Sequence, residues 1–147
     1  MLYRAARAMC GSHHDAEDLL QETFARVLKR PRLLRDGNEL GYLFRALRNT
    51  HIDRVRTVAR QPVTGPLFDE DTPGRSESTA NAREIMAAIA SAPAAYRDAV
   101  IAVDLIGLSY REAARSLRTR EATITSRLHR GRQHVARALS IEATLAS

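Results

Sequence analysis

Apolar residues in the N-terminal part of the chain recur every three or four positions, which is the period of an α-helix. One helix is predicted over residues 12–29 and a longer one over residues 40–60. The positions predicted to face inward are Leu20, Phe24, Val27, Leu28, Leu40, Phe44, Leu47 and Val55. Ser12 stands where an N-terminal cap belongs, with Asp15 three positions later. No segment alternates with the two-residue period of a strand, so this part is predicted to be all helix.

Apolar residues recur with the same helical period in the C-terminal part, where the first predicted helices are shorter. Residues 81–91 form one predicted helix, and Pro93 suits the first turn of the next, which runs to Gly107. Ser109 and Glu112 then stand three positions apart, the spacing of a capping box in which each side chain bonds the backbone N–H of the other residue. A new helix is therefore predicted to begin directly after Ser109.

A tight turn is predicted to follow this helix. Residues 118–120 connect it to a longer helix that begins near Glu121. The inner face of the longer helix is predicted to contain Ile124, Leu128, Gly131, Val135 and Leu139. Its outer face is predicted to carry Ser126, Arg130, Gln133 and Arg137, flanked by Thr123 and His129. This arrangement is typical of a helix-turn-helix that docks in a DNA groove. The alternative is an ordinary solvated basic face.

The composition changes between these two parts. Residues 61–80 contain three of the five prolines, two glycines and several acidic residues, which is typical of a linker rather than a core. The predicted fold class is all-α, with two small helical domains joined by a flexible linker. The first domain is predicted over residues 1–60 and the helix-turn-helix domain over residues 81–141, followed by a tail over residues 142–147.

The net charge of the chain indicates which class of partner it binds. The 147 residues carry a formal net charge of +6, and the isoelectric point is near 10.4. These values indicate an acidic partner such as nucleic acid or a membrane surface. Of the 23 basic residues only Lys29 is a lysine. Arginine suits phosphate groups and guanine edges, although genome composition can produce the same bias.

Other classes of protein are not indicated. A single cysteine, Cys10, excludes an internal disulfide and fits a reducing cytoplasm. No apolar run approaches the ~18 residues of a membrane span and no signal-peptide core is present, so a cytoplasmic protein without membrane insertion is expected. Cys10, His13, His14 and Asp15 lack metal-binding spacing, so neither a metal nor a cofactor is expected. No phosphate-binding loop or Ser/His/Asp arrangement is identifiable.

Three stretches of the chain resemble segments of a known protein family. They are DAEDLLQETFARV (15–27), YLFRALRNTHIDRVR (42–56) and LSYREAARSLRTREATITSRLHRGR (108–132). The first two resemble the core-binding and promoter-melting helices of extracytoplasmic-function sigma factors, and the third resembles their C-terminal helix-turn-helix. The order, the spacing and the linker also match, so the resemblance covers almost the whole chain. It implies a non-catalytic subunit that brings the RNA polymerase core to promoter DNA.

The resemblance implies roles for residues of the first domain. The polymerase core would be bound by Asp18, Gln21 and Glu22, which are expected to form an unpaired acidic and amide face. The alternative is a helix face kept polar for solubility. The minus-ten element would be melted by Arg45, Arg48, Asn49 and Arg54, together with residues 35–39 of the preceding loop. Tyr42 stands where the family usually has tryptophan and would keep an aromatic ring there. The alternative role for Tyr42 is packing in the core.

In the second domain the resemblance implies a surface that recognises the minus-thirty-five element. Its residues would be Thr123, Ser126, Arg127, His129, Arg130 and Arg132. Arg130 is expected at the outward centre of the helix, where it would contact bases. Arg127 and Arg132 are expected on the flanks, where they would contact phosphates.

The chain departs from the family at three points. Arg118 occupies a turn position that is usually glycine, so a left-handed backbone there would cost ~1 kcal/mol. Thr125 replaces a frequent basic residue, and the first helix is expected to be shorter than in relatives. Two other classes stay open, a stand-alone helix-turn-helix regulator and, more remotely, a nucleic-acid-processing enzyme. Whether an anti-sigma factor binds the chain is also left open.

Overall fold

A computed structural model of the chain describes residues 1–30, 37–60 and 77–146. Within these residues the backbone forms seven α-helices and no strand, which confirms the all-α prediction. The helices are α1 (Leu2–Cys10), α2 (His13–Leu28), α3 (Glu39–Arg60), α4 (Glu77–Ala90), α5 (Ala94–Val100), α6 (Tyr110–Ser116) and α7 (Glu121–Ala146). We call α1–α3 the N-terminal unit and α4–α7 the C-terminal unit.

Three boundaries differ from the prediction. Helix α7 continues to Ala146, through most of the predicted tail at 142–147. The helix predicted over 81–91 begins earlier, at Glu77, inside the predicted linker, whose residues 61–76 lie outside the described residues. The helix predicted to run from Pro93 to Gly107 is α5 followed by one π-helical turn, Ile101–Leu105. π-helical turns have no simple sequence period, so this one could not be read from the apolar pattern.

The predicted helix caps are present. The backbone N–H of Asp15 donates to Ser12 Oγ at 3.2 Å. At α6 the N–H of Glu112 donates to Ser109 Oγ at 3.1 Å, and the N–H of Ser109 donates to Glu112 Oε2 at 2.8 Å. Such caps stabilise a helix by about 1 kcal/mol each because they satisfy N–H groups that have no partner inside the helix.

The core of the N-terminal unit differs in part from the predicted one. Four residues predicted to be inside are exposed, namely Phe24 (43%), Leu28 (71%), Leu40 (39%) and Val55 (54%). Leu19, Phe44 and Leu47 are fully buried, together with two threonines. The hydroxyls of Thr23 and Thr50 donate to the carbonyls of Leu19 and Ala46. Because their own helix satisfies them, these polar side chains can occupy core positions.

The C-terminal unit packs α7 closely against α5. Ile124, Leu128 and Gly131 of α7 are buried as predicted, while Val135 and Leu139 are half-buried. A Cβ atom added to Gly131 would lie 2.5 Å from Val100 Cγ2 and 2.9 Å from the carbonyl oxygen of Tyr96. A glycine is therefore required for this approach of the two helices.

The two units lie in direct contact. Helix α1 packs on α4 and the π-helical turn, and α3 packs on α6. Buried apolar residues from both units belong to one continuous core. Polar contacts also cross the boundary, including an ion pair between Arg48 and Asp98.

Candidate polymerase and nucleic-acid interfaces

The acidic face predicted for core binding lies on α2. Gln21 is exposed, and the Asp18 and Glu22 side chains are partly exposed. The expectation that these acids are unpaired is wrong. Glu22 Oε1 lies 2.7 Å from Arg26 Nη2, and Asp18 Oδ2 lies 3.5 Å from His14 Nε2. Exposed pairs one helical turn apart contribute under about 1 kcal/mol, so they can exchange for contacts to a partner.

A cationic cleft opens between the end of α2 and the middle of α3. Its volume is about 390 Å³. It is lined by Arg26, Val27, Lys29, Arg30, Tyr42, Arg45, Ala46, Asn49 and Thr50. Tyr42 and Asn49 reach the same cleft although they lie two helical turns apart, and Asn49 is exposed while Tyr42 is half-buried. The arrangement combines an aromatic ring, an amide and four positive charges around one opening.

The other residues predicted to melt DNA contact groups of the protein itself. Arg48 Nε lies 2.7 Å from Asp98 Oδ2, and Arg45 Nη2 donates to the carbonyl of Arg115 at 3.2 Å, so both contact the C-terminal unit. Arg54 lies toward α2, where its Nη1 donates to the carbonyl of Asp15. Of the predicted loop at 35–39, residues 35 and 36 lie outside the described residues. Asn38 Oδ1 accepts from the N–H of Gly41 at the start of α3.

Helices α6 and α7 form the predicted helix-turn-helix, joined through Leu117–Arg120. Arg118 has φ 52°, so the left-handed backbone considered from the sequence is present. The N–H of Thr119 donates to the carbonyl of Ala114 at 2.9 Å, which closes the end of α6. A residue with a Cβ atom in this conformation is strained, because the Cβ approaches the backbone carbonyl.

Replacing Arg118 by glycine is expected to stabilise the chain by about 0.5–1 kcal/mol. The substitution removes roughly 1–2 kcal/mol of strain and adds a smaller entropic cost in the unfolded state. The change is measured by urea unfolding. The control is Arg118→Ala, which removes the same charge but keeps a Cβ atom at the strained position. If both variants change the free energy of unfolding equally, charge rather than backbone strain is responsible.

The predicted recognition residues of α7 are exposed or half-buried. Ser126, His129, Arg130 and Arg132 are exposed, and Thr123 and Arg127 are half-buried. Thr125, where a basic residue is frequent, bonds the carbonyl of Glu121 within the helix. The exposed side chains are therefore available to a groove-bound duplex, as the apolar period predicted.

The exposed side chain of Arg130 also contacts α5. Arg130 Nη1 donates to Tyr96 Oη at 3.0 Å, and its guanidinium carbon lies 5.9 Å from the centre of the Tyr96 ring. The Arg130 guanidinium is thus directed toward Tyr96 of α5. Arg132 Nη2 and Nε donate to the two carboxylate oxygens of Asp104 at 2.7 and 3.0 Å. This contact raises the pKa of the Arg132 guanidinium above its ordinary value.

Sequence reasoning missed a second group of arginines at the turn. An open cleft of about 670 Å³ is bounded by the end of α6 and the start of α7. Its lining residues are Arg111, Ala114, Arg115, Arg118, Thr119, Arg120 and Glu121. The position of these arginines in the sequence could have indicated this group, because the first residues of a recognition helix are the ones that reach base edges. The apolar period of α7 begins only after the turn, so it does not indicate these arginines.

The residues considered for metal binding do not form one group. Cys10 Sγ lies 3.9 Å from His51 Nδ1, while His13 pairs with Glu17 and His14 with Asp18. Burial raises the pKa of the Cys10 thiol to about 11, so it stays protonated at neutral pH. The described ranges contain no group of three or more potential metal ligands. In those ranges no helix is long and apolar enough to cross a bilayer.

Comparison with protein families and curated proteins matches both units. The sigma-70 region 2 family matches residues 1–61, and the sigma-70 region 4 family matches residues 82–135. The extracytoplasmic-function sigma factor SigE of Mycolicibacterium smegmatis is 36% identical over 142 residues, covering 91% of this chain and 55% of SigE. SigM of Mycobacterium tuberculosis is 33% identical over 140 residues, covering 94% of this chain and 71% of SigM. The chain thus spans about half the length of SigE.

Solved structures share the fold. The sigma factor RpoE of Bartonella quintana, in complex with the anti-sigma factor NepR, superposes with a TM-score of 0.74 at 24% identity. The match covers 95% of this chain and 90% of RpoE. CnrH in complex with the cytosolic domain of CnrY has a TM-score of 0.66 at 21% identity, over 95% of this chain and 80% of CnrH.

Proposed function

The chain belongs to the extracytoplasmic-function sigma factors of RNA polymerase, and on this premise we propose that it directs the polymerase core to promoters through three surfaces. They are the acidic face of α2, the cationic cleft between α2 and α3, and the outer side of α7. The chain would contribute no catalytic group, because the polymerase performs the chemistry. It would act in the cytoplasm. A stand-alone regulator is not favoured, because the N-terminal unit matches sigma region 2.

The core would dock on the α2 face formed by Asp18, Gln21 and Glu22. Three partly or fully exposed polar side chains on adjacent helical positions suit a basic partner surface in an otherwise basic protein. Their present partners are His14 and Arg26 on the same helix and Arg54 on α3, all in surface pairs, so docking would exchange weak pairs.

The cationic cleft is the observation that carries the melting role. Proteins hold single-stranded DNA by stacking bases on aromatic side chains and by placing positive charges along the backbone. Tyr42 would supply the ring, and Asn49 would supply an amide that can bond the edge of an unstacked base. Around them Lys29, Arg30 and Arg45 would neutralise the phosphates, while Arg26 lines the cleft in pairs with Glu22 and Asp53.

The helix-turn-helix would recognise the minus-thirty-five duplex. Helix α7 would enter the major groove, with Ser126, His129 and Arg130 on its exposed side. Thr123, in the first turn of α7, would reach toward base edges, and Arg127 and Arg132 would lie nearer the groove walls. Both solved neighbours were determined with a partner protein, and we propose an anti-sigma factor for this chain as well.

Reconstitution tests this function. The purified chain is mixed with polymerase core, and run-off transcription is measured on a library of promoter-containing templates, with core alone as the control. Transcripts with defined start sites are expected only when both components are present. A chain that binds duplex DNA but neither co-purifies with core nor supports transcription would behave as a stand-alone regulator, and the proposal would be wrong.

Replacing Asn49 by alanine is expected to reduce open-complex formation about ten-fold, because an amide that contacts an unstacked base contributes on the order of 1–2 kcal/mol. Binding to the upstream duplex should not change, since Asn49 lies in the N-terminal unit. Permanganate footprinting of the opened region measures the first quantity, and a duplex mobility shift measures the second. The control is Asn81→Ala, an exposed asparagine of α4. Footprints of equal strength in all three proteins would make Asn49 a structural residue.

A further inference from the structure

The turn before α7 carries a cluster of arginines around an open cleft. The cleft, of about 670 Å³, lies between the end of α6 and the start of α7, and Arg111, Arg115, Arg118 and Arg120 line it. All four side chains are exposed. The one acidic residue of the lining, Glu121, lies 3.9 Å from Nε of Arg111. The other three arginines therefore have no acidic counterpart in the lining of the cleft.

The positive charges of these three arginines are also unused elsewhere in the described chain. Among residues 1–30, 37–60 and 77–146, none of the three side chains forms an ion pair or a hydrogen bond. The arginines farther along α7 differ, because Arg130 donates to Tyr96 Oη and Arg132 donates to both carboxylate oxygens of Asp104. Contact with DNA would require those two to give up existing bonds, whereas the turn arginines would give up only water.

Arg118 occupies a backbone conformation that disfavours any residue with a Cβ atom. Its φ is 52°, whereas every other described residue with a positive φ is a glycine, namely Gly11, Gly37 and Gly107. Strained residues concentrate at functional sites, where the side chain offsets the strain through the role it performs. A glycine would close the same turn without strain, so the arginine indicates that this side chain has a use.

The start of α7 lacks a positive charge at a position where the family frequently has one. Thr125 stands there, and its hydroxyl donates to the carbonyl of Glu121 at 3.1 Å within the helix. The turn lies at the same end of α7, because the helix begins at Glu121. The turn arginines are therefore placed to supply the charge that Thr125 does not.

We propose that Arg115, Arg118 and Arg120 form a phosphate-binding site for the backbone of duplex DNA, beside the groove that α7 would enter. The inference rests on the proposed function and extends its minus-thirty-five surface to the turn. A planar guanidinium matches a phosphate through two parallel hydrogen bonds. The cleft adjoins the first residues of α7, so the strand that borders the groove would pass it. Phosphate contacts carry no sequence information, so this site would set affinity and register but not the choice of promoter.

The test measures binding of the full-length chain to two fluorescent duplexes of unrelated sequence, each about 20 base pairs long, at several salt concentrations. Arg118→Gly is the main variant, because glycine suits the turn and should leave the chain more stable, so weaker binding cannot result from unfolding. The loss of one phosphate contact should reduce the salt slope by about 0.9. Binding should weaken about ten-fold at about 50 mM salt and about three-fold at about 200 mM, equally on both duplexes.

Three further variants separate the site from net charge and from the backbone. Arg118→Lys keeps the positive charge and the strained backbone, so it should retain the salt slope. Arg120→Ala should reproduce the loss seen with Arg118→Gly, although its backbone is not left-handed. The matched control is Arg4→Ala, which removes one charge at an exposed position of α1 and should leave the slope unchanged. If Arg4→Ala lowers the slope as much as Arg118→Gly, net charge is responsible and the inference is wrong.

Several results would overturn the phosphate site. They are an unchanged salt slope in Arg118→Gly and Arg120→Ala, a loss that differs between the two duplexes, and an unmodified chain that binds neither duplex at low salt. Failure of the proposed function is distinguishable, because the unmodified chain would then neither associate with core nor support transcription. Failure of the inference alone would leave core binding and transcription intact, with equal duplex affinity in the unmodified chain and the turn variants.

Discussion

Asp18→Lys combined with Glu22→Lys is expected to abolish association with polymerase core, by at least about 100-fold in affinity. Truncating a charge that is paired across an interface costs roughly 2–5 kcal/mol, and reversal adds repulsion from the basic partner surface. Transcription should be lost in parallel because the chain acts only with core. Association is measured by pull-down with core and by calorimetric titration.

Two checks separate this result from damage to the fold. Circular dichroism should show unchanged helicity, because both residues are partly exposed and their pairs with His14 and Arg26 are surface pairs. The control is Glu39→Lys with Glu84→Lys, which changes the net charge equally at exposed positions on α3 and α4. Core binding that survives the α2 reversal, or that falls equally in the control, would contradict the docking assignment.

Arg130→Ala is expected to weaken binding to the favoured minus-thirty-five sequence by about 1–3 kcal/mol and to relax the preference at one or two base pairs. Arg132→Ala should weaken all sequences alike and reduce the salt slope by about one unit, because a phosphate contact carries no sequence information. Competition binding across single-base variants at two salt concentrations measures both effects.

Tyr96→Phe is the informative companion to Arg130→Ala. It removes the hydroxyl that accepts from Arg130 but keeps the ring beneath the guanidinium. A partial loss of sequence preference is expected, since the guanidinium would be less restrained. If Arg130→Ala weakens every sequence equally, Arg130 contacts a phosphate, and another exposed residue of α7 must read the bases.

Features set by neighbours in sequence could be predicted. The caps at Ser12 and Ser109 depend on residues within a few positions, so their geometry is visible in the chain itself, whereas the left-handed backbone at Arg118 was indicated only by the family resemblance. The exposed side of α7 was predictable because Ile124 and Leu128 define its opposite, buried side.

Features set by distant packing could not be predicted. Phe24 and Leu28 have an apolar period, but no described helix covers them, whereas Thr23 could be buried because its hydroxyl bonds its own helix. The partner of Arg48 lies 50 residues away across the linker, so the sequence could assign this arginine to DNA but not to Asp98. The same limit applies to Arg130, whose position is set by Tyr96 on another helix.

The close approach of α7 to α5 at Gly131 affects how α7 would contact DNA. Gly131 faces away from the exposed side of α7, yet its missing side chain fixes how near this helix lies to the backbone at Tyr96. Tyr96 in turn holds Arg130. The direction of the side chains that α7 would present to a promoter is therefore set by a glycine on the buried face of the helix, which no nucleotide would contact.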